Sequence, residues 1–489
     1  MKSGSVGIIN RIMRLFICLL AIAMLILDCP YVYAEKTMDD YISEAEERKS
    51  MPIESDSIEK WPAGPKIGAQ SAILMEVNTG TILYSKNIHE KLYPASVTKL
   101  LTALIAMEKC DMDEMVTFST KAIESINWRN DANLGISPGS SITMEQCLYG
   151  LLVGSANEVA YAIAEHICGD GNIEEFAALM NEKAKSLGCK DSNFITPNGI
   201  HDDNHYTSAY DLALIARAFY SNELLSKMAS TVSYKVPQTE TQTRDDMVVY
   251  AKSKLHEGKE YAYEGLVGTK TGYTDYARQT LVSCAKKKGL TLVCVILKEE
   301  SPYQYTDTID LFNYGFDNFK SVNIADNDTT YVINSLNFFS TKSDFFGNSK
   351  PILQVNEDNY IIIPTDADFE DTESELKYNG ISKEEIARVN YYFSDVHVGS
   401  ASIEPAEIKI ETFDFGPKEK IDEYNQETEE VMVINVKMIL YLILLIAVII
   451  IIILIIVAII MNKLNPRRRR GRRRYKVSKS NQLDWKRFK

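Results

Sequence analysis

Apolar positions along the chain change period several times, and each change marks an element. Ala72 to Val77 and Thr81 to Tyr84 are β-rich runs around Asn78-Thr79-Gly80, a turn signal, so they predict a hairpin. Leu92-Tyr93-Pro94-Ala95-Ser96 then leads into Val97, Leu100, Leu101 and Leu104, apolar positions spaced for a helix with a proline and a small residue at its entry. Between Ile142 and Lys185 the pattern is helical throughout. Leu148, Leu151 and Leu152, then Val159, Ile163 and Ile167, then Phe176, Leu179 and Met180 recur at three and four, and Gly154-Ser155 separates the first two runs. Ser155 and Asn157 are therefore expected at a helix-helix junction. Thr207 to Phe219 predicts a further helix, capped by Thr207 or Ser208 with Asp211 near its start. Thr280 to Ala285 and Leu290 to Leu297 return to β character, and Ile309 to Phe316 predicts a closing helix. Strands from both ends with helices inserted between them predict an α/β (α+β) domain over residues 62–318, built on one sheet.

The remainder of the chain is patterned differently. Short β-rich segments at 330–333, 352–355, 360–363, 389–393 and 408–413, separated by polar turns, predict a smaller β-rich domain over 322–415. Residues 35–61 are acidic and polar without clear periodicity and are expected to be a spacer, with order beginning near Pro62; residues 416–437 are expected to be an acidic linker.

The two ends carry targeting signals. Lys2, Arg11 and Arg14 precede the apolar Leu15 to Leu27 and then Val32-Tyr33-Ala34, the parts of a secretory signal peptide over 1–34. An uncleaved anchor is the rival, and a lipoprotein signal at Cys29 is disfavoured by Asp28. Residues 438–461 are expected to be a transmembrane helix, since an apolar run from Ile439 to Met461 would span about 34 Å. The basic tail over 462–489 would stay in the cytoplasm, where arginine-rich flanks stay, leaving the catalytic domain outside the cell membrane on a single C-terminal span.

Charge excludes one partner class. Residues 462–489 hold 13 basic side chains against one acidic, and residues 1–34 three against one, so the formal −14 of the chain leaves −28 on residues 35–461. Such an acidic body is no nucleic-acid binder. The six cysteines beyond the signal are scattered singly with no CxxC, and Cys147, Cys284 and Cys294 have apolar neighbours. Buried free thiols are the leading reading, one or two disulfides the alternative.

Candidate chemistry centres on Ser96, which has Lys99 three residues on and so on the same helical face. A serine hydroxyl attacks only after a base takes its proton, and a lysine serves as that base if desolvation or a second cation lowers its pKa. By itself S-x-x-K arises by chance roughly once or twice in such a chain, and Ser57-Ile58-Glu59-Lys60 is a decoy. Ser155-Ala156-Asn157 and Lys270-Thr271-Gly272, in that order downstream, complete a set that chance rarely assembles. His201, Asp202 and His205 lie close together, but no H-E-x-x-H or C-x-x-C accompanies them, so no metal and no cofactor is expected.

With these motifs, and with the words Val77-Asn78-Thr79-Gly80, Asn198-Gly199-Ile200-His201 and Ala209-Tyr210-Asp211 around them, the chain resembles the serine-type D-alanyl-D-alanine carboxypeptidases, the low-molecular-weight penicillin-binding proteins. The resemblance covers 62–318 well and 322–415 loosely. It implies a serine β-lactamase/DD-peptidase-like fold, an antiparallel sheet with inserted helices, and removal of the terminal D-alanine from peptidoglycan stem pentapeptides, with β-lactams as inhibitors. It further implies Ser96 as acylated nucleophile, Lys99 as general base, Ser155 as the group that protonates the leaving amine, and Asn157 as holder of Lys99 and the substrate amide. Lys270 and Thr271 would bind the terminal carboxylate, with Lys270 also lowering the pKa of Lys99. Gly272 would let the strand approach the substrate, and the N–H groups of Ser96 and Tyr273 would form the oxyanion hole. Tyr273 stands where the family often has histidine or threonine. Arg278 and Lys298 are the candidates for a second carboxylate-binding cation. A β-lactamase and a DD-endopeptidase are the alternatives on the same scaffold.

Overall fold

In the computed structural model, which describes residues 36–405 apart from 170–171, 329, 332, 335–350 and 379–385, the runs around Asn78-Thr79-Gly80 pair as an antiparallel hairpin of β1 (Ser71–Glu76) and β2 (Ile82–Lys86). The turn is fixed by Glu76, whose Oε2 accepts from the Thr79 amide (2.7 Å) and hydroxyl (2.9 Å), and Gly80 supplies a positive φ of 77°. Three later strands, β3 (Leu266–Thr274), β4 (Arg278–Lys287) and β5 (Leu290–Glu299), complete an antiparallel sheet in the order β2-β1-β5-β4-β3. The strands are thus drawn from both ends of the domain. The expected helices lie between them: α2 (Lys99–Lys109), α3 (Met144–Leu152), α4 (Asn157–Cys168), α5 (Ile173–Ser186) and α6 (Ala209–Tyr220), followed by α7 (Glu223–Ser230), which the apolar pattern does not predict. Ser208 caps α6 by accepting from the Asp211 amide. The closing helix α8 (Tyr303–Asn318) covers the opposite face.

Both faces of the sheet are buried, which is why its strands read as nearly continuous apolar runs. Ile73 and Met75 of β1, with Val293 and Val295 of β5, face the core formed with α2 to α7; Ala72 and Leu74, with Leu292 and Ile296, face Leu311 and Phe312 of α8. All of the six described cysteines are free thiols, Cys147, Cys284 and Cys294 buried among them.

Residues 36–61 depart from the expected spacer, because they are folded. Helix α1 (Met38–Arg48) starts at a capping box between Thr37 and Asp40, and only Ala45 and Arg48 of it are buried. Two inward positions on an otherwise charged helix leave no readable apolar period. Arg48 donates to the Gly68 carbonyl (2.7 Å), and Trp61 donates to the Leu83 carbonyl (2.9 Å).

The second sheet also begins earlier than expected. Strand β6 (Phe319–Asn323) follows α8 directly, and β7 (Ile333–Asn334), β8 (Pro351–Val355), β9 (Tyr360–Pro364), β10 (Glu373–Lys377), β11 (Ala387–Phe393) and β12 (Val396–Pro405) complete seven strands. Its core is continuous with the α8 side of the first sheet, and Trp61 joins them with ring centroids 5.0 Å from Phe319 and 6.0 Å from Phe393. Each such pair adds about 0.5–1.5 kcal/mol to the area buried. Tyr360 of β9 donates to Glu76 (3.1 Å) and accepts from Asn78 (2.6 Å), so the second sheet also braces the first hairpin. The segment at 408–413, the signal peptide, the linker over 416–437, the span over 438–461 and the tail over 462–489 lie outside the described residues. No helix among the described residues is long and apolar enough to cross a membrane.

Candidate active site

The Pro94-Ala95-Ser96 entry forms a short 3₁₀ turn, Ala95–Thr98, that runs straight into α2 and leaves Ser96 facing a cleft of about 520 Å³. Ala95 sits at a φ of 52°, unusual for a residue with a Cβ, and the turn is braced around it: Thr280 of β4 donates to the Pro94 carbonyl (2.8 Å), and a side chain on Gly199 would place its Cβ 1.9 Å from the Ala95 oxygen. Gly272 is forced in the same way. A Cβ there would lie 2.3 Å from Thr280 Oγ1 and 2.9 Å from the Ser96 nitrogen, so only a glycine lets β3 run past the Ser96 amide this closely.

Lys99 is 0% exposed and its Nζ reaches Ser96 Oγ (2.7 Å), Asn157 Oδ1 (2.7 Å) and the Asn198 carbonyl (3.0 Å). The two amide oxygens can only accept. A neutral amine that spends its two N–H groups on them therefore turns its lone pair to the Ser96 hydroxyl. Burial, and after it the Lys270 and Lys252 cations, hold the Lys99 pKa far below the lysine range. Ser155, at the expected junction between α3 and α4 with a φ of 58°, accepts from Lys270 Nζ (2.9 Å), which also donates to the Thr271 carbonyl (2.8 Å). Burial and then Lys252 bring Lys270 down to about 7.

All eight motif residues, Ser96, Lys99, Ser155, Asn157, Lys270, Thr271, Gly272 and Tyr273, are brought together, the last four from β3. The decoy Ser57 lies in a separate 3₁₀ turn, Glu54–Ser57. Arg278 and Lys298 do not line the cleft, and the Arg278 guanidinium is taken by Glu300, Nε to Oε1 at 2.9 Å and Nη2 to Oε2 at 2.7 Å. The cation the sequence reading passed over is Lys252, which lines the cleft and lowers both catalytic-range amines. It lies one residue before Ser253-Lys254-Leu255-His256, in a segment without periodicity, and no signal in the sequence points to it. Glu158 was also missed: it is 0% exposed, accepts from the Leu134 amide (2.5 Å), and burial lifts it to about 7.

The histidine loop is structural in part. His205 Nδ1 accepts from the Ile195 (3.0 Å) and Thr196 (3.1 Å) amides, so Nε2 carries the hydrogen and donates to Thr98 (3.0 Å), leaving neither nitrogen for a metal. Burial lowers its pKa to about 4. His201 instead stacks on Tyr276 (3.9 Å) and meets Tyr93 edge-on (4.7 Å), forming an aromatic rim.

The family model described as "D-alanyl-D-alanine carboxypeptidase" matches residues 58–301. The D-alanyl-D-alanine carboxypeptidase DacB2 of Mycobacterium tuberculosis is 30% identical over 262 residues, covering 52% of this chain and 84% of that protein. The chain belongs to the D-alanyl-D-alanine carboxypeptidase family. DacF of Bacillus subtilis is 34% identical over 235 residues, 48% of this chain and 58% of that carboxypeptidase, so the chain spans less than two thirds of it. Penicillin binding protein 5 from Haemophilus influenzae shares the fold, with a TM-score of 0.55 at 23% identity over 70% of this chain and 98% of that one. That coverage reaches past the carboxypeptidase domain into the second sheet.

Proposed function

We propose that this carboxypeptidase removes the terminal D-alanine of peptidoglycan stem pentapeptides through an acyl-enzyme on Ser96, and that β-lactams acylate the same oxygen. The observation that carries this is the Lys99 amine held between two acceptor-only amide oxygens and the Ser96 hydroxyl. In acylation Lys99 takes the hydroxyl proton as Oγ bonds to the carbonyl carbon, and the C–N bond to D-alanine breaks. Ser155 gives the departing amine its proton and recovers one from Lys270. Water then attacks the ester, one of its protons restores Lys270, and Lys99 returns its proton to Ser96 Oγ as the shortened peptide leaves. Lys270, Lys252 and Thr271 supply charge and a hydroxyl for the substrate's terminal carboxylate, and the Ser96 and Tyr273 amides stabilise the oxyanion.

The test is mass spectrometry of pentapeptide monomers and cross-linked dimers incubated separately with the full chain and its Ser96→Ala variant. Tetrapeptide formed from monomers by the wild type alone is expected. An intact pentapeptide, or trimming by Ser96→Ala, refutes the reading; cleavage of dimers alone makes the chain an endopeptidase.

The apolar run over 438–461 and the arginines after it support anchoring by one C-terminal span, with the catalytic domain outside the cell membrane. Protease added to intact protoplasts is expected to remove the domain and spare a tag on the C-terminus; loss of the tag reverses the topology.

A further inference from the structure

Helix α1 reaches the residues behind one wall of the cleft through Tyr41. The Tyr41 ring lies 3.7 Å from the Arg278 guanidinium carbon, face on, in the range where a partly desolvated cation and an aromatic face attract. Arg278 opens β4 at the end of the Asp275–Ala277 turn and holds a φ of 55°, a conformation that costs a non-glycine residue free energy and persists only where its surroundings over-determine it. Its neighbours supply that constraint. Glu300, 1% exposed, grips the guanidinium from one side and Tyr41 covers its face, while Nη1 donates to the Tyr273 hydroxyl (3.4 Å). Tyr273 in turn donates to Asp275 (3.0 Å), and Tyr273, Thr274, Asp275 and Tyr276 together form one wall of the cleft immediately after Lys270-Thr271-Gly272. A second contact runs the same way: Lys49, the C-cap of α1, lies 5.7 Å from the Tyr303 ring, two residues before the cleft-lining Tyr305. The helix is itself anchored by Arg48 on the Gly68 carbonyl.

We propose that α1 is a positioning element of the active site, in which Tyr41, stacked on Arg278, fixes the Tyr273–Tyr276 wall against which the stem peptide binds. Tyr41 touches neither substrate nor Ser96, so it is a positioning residue, and its effect belongs in substrate binding more than in chemistry. The inference rests on the carboxypeptidase reading above.

The experiment uses the full chain and its Tyr41→Leu and Tyr41→Phe variants. Leucine keeps apolar bulk and removes the π face; phenylalanine keeps the face and removes only the hydroxyl. For D-alanine release from a pentapeptide, Tyr41→Leu is expected to raise KM about 5-fold with kcat within about 2-fold, and Tyr41→Phe to match the wild type. The second-order rate of acylation by a fluorescent penicillin should fall in Tyr41→Leu by a similar factor. A wild-type KM and acylation rate in Tyr41→Leu overturns the proposal, as does a Tyr41→Phe that behaves like Tyr41→Leu, or a loss of kcat and Tm without a change in KM. A wild-type chain that neither trims pentapeptide nor is acylated sinks the carboxypeptidase reading and this one with it; an active wild type whose variants break the expected pattern sinks this one alone.

Discussion

Lys86 at the end of β2 and Lys99 at the start of α2 are both closed off from water, 1% and 0% exposed, and both donate to backbone carbonyls. Their surroundings differ in sign. Lys86 gives its hydrogens to the Arg48 (2.8 Å) and Ile67 (2.7 Å) carbonyls with Glu299 and Asp307 nearby, and burial lowers it only to about 8, against the pull of those two acids. Lys99 faces Lys270 and Lys252, and burial with those cations holds it well below the lysine range. Burial beside acids therefore makes a structural cation; burial among like charges, beside a hydroxyl that can give up a proton, makes a base. Glu299 and Asp307 share the Lys86 pocket, and burial raises both.

The sharpest way to break this comparison is to make the same substitution at both lysines. Lys99→Met is expected to slow acylation by penicillin roughly 10³-fold, the scale of a lost general base, and to stay folded, losing about 1–3 kcal/mol because Asn157 Oδ1 and the Asn198 carbonyl lose their donor. Lys86→Met should act on stability alone. It leaves the Arg48 and Ile67 carbonyls without their donor and removes the cation beside Glu299 and Asp307, costing roughly 3 kcal/mol by chemical denaturation, while the folded fraction acylates at the wild-type rate. Unfolding by Lys99→Met, or loss of acylation in folded Lys86→Met, would erase the distinction.

The role of the neighbouring charge is sharpened through Lys252. On the proposed mechanism, acylation should rise with pH as Lys99 loses its proton and fall as Lys270 loses its own, near 7 in the free enzyme. Removing the Lys252 cation raises both pKa values, so Lys252→Met should move both limbs of the acylation profile to higher pH and slow the reaction several-fold at pH 6. Limbs that stay in place would mean burial acts alone.

The smallest effect concerns the join between the two sheets. Tyr360→Phe removes the bonds to Glu76 and Asn78 and should cost about 1 kcal/mol in thermal unfolding without changing acylation. A separate, earlier transition for the second sheet in the wild type would contradict the continuous core.

What the sequence determined by itself is local. Turn chemistry at Asn78-Thr79-Gly80, apolar spacing from Leu148 to Met180 and the break at Gly154-Ser155 are read within a few residues, so the hairpin, the helices and the junction holding Ser155 and Asn157 were legible. The pairing of Ser96 with Lys99 was legible for the same reason, since one helical turn joins them. Tertiary structure alone decided the rest. The Asn198 carbonyl and Lys252 come to the amine from loops 99 and 153 residues away, and loops carry no period to read. Helix α1 presents mostly charge, so its fold depends on Arg48 reaching Gly68 and Tyr41 reaching Arg278. The shared core beneath Trp61 likewise exists only once Phe319 and Phe393 arrive from the far end of the chain. A polar side chain looks the same in sequence whether water or protein surrounds it, and only packing decides which, and with it the pKa that the chemistry needs.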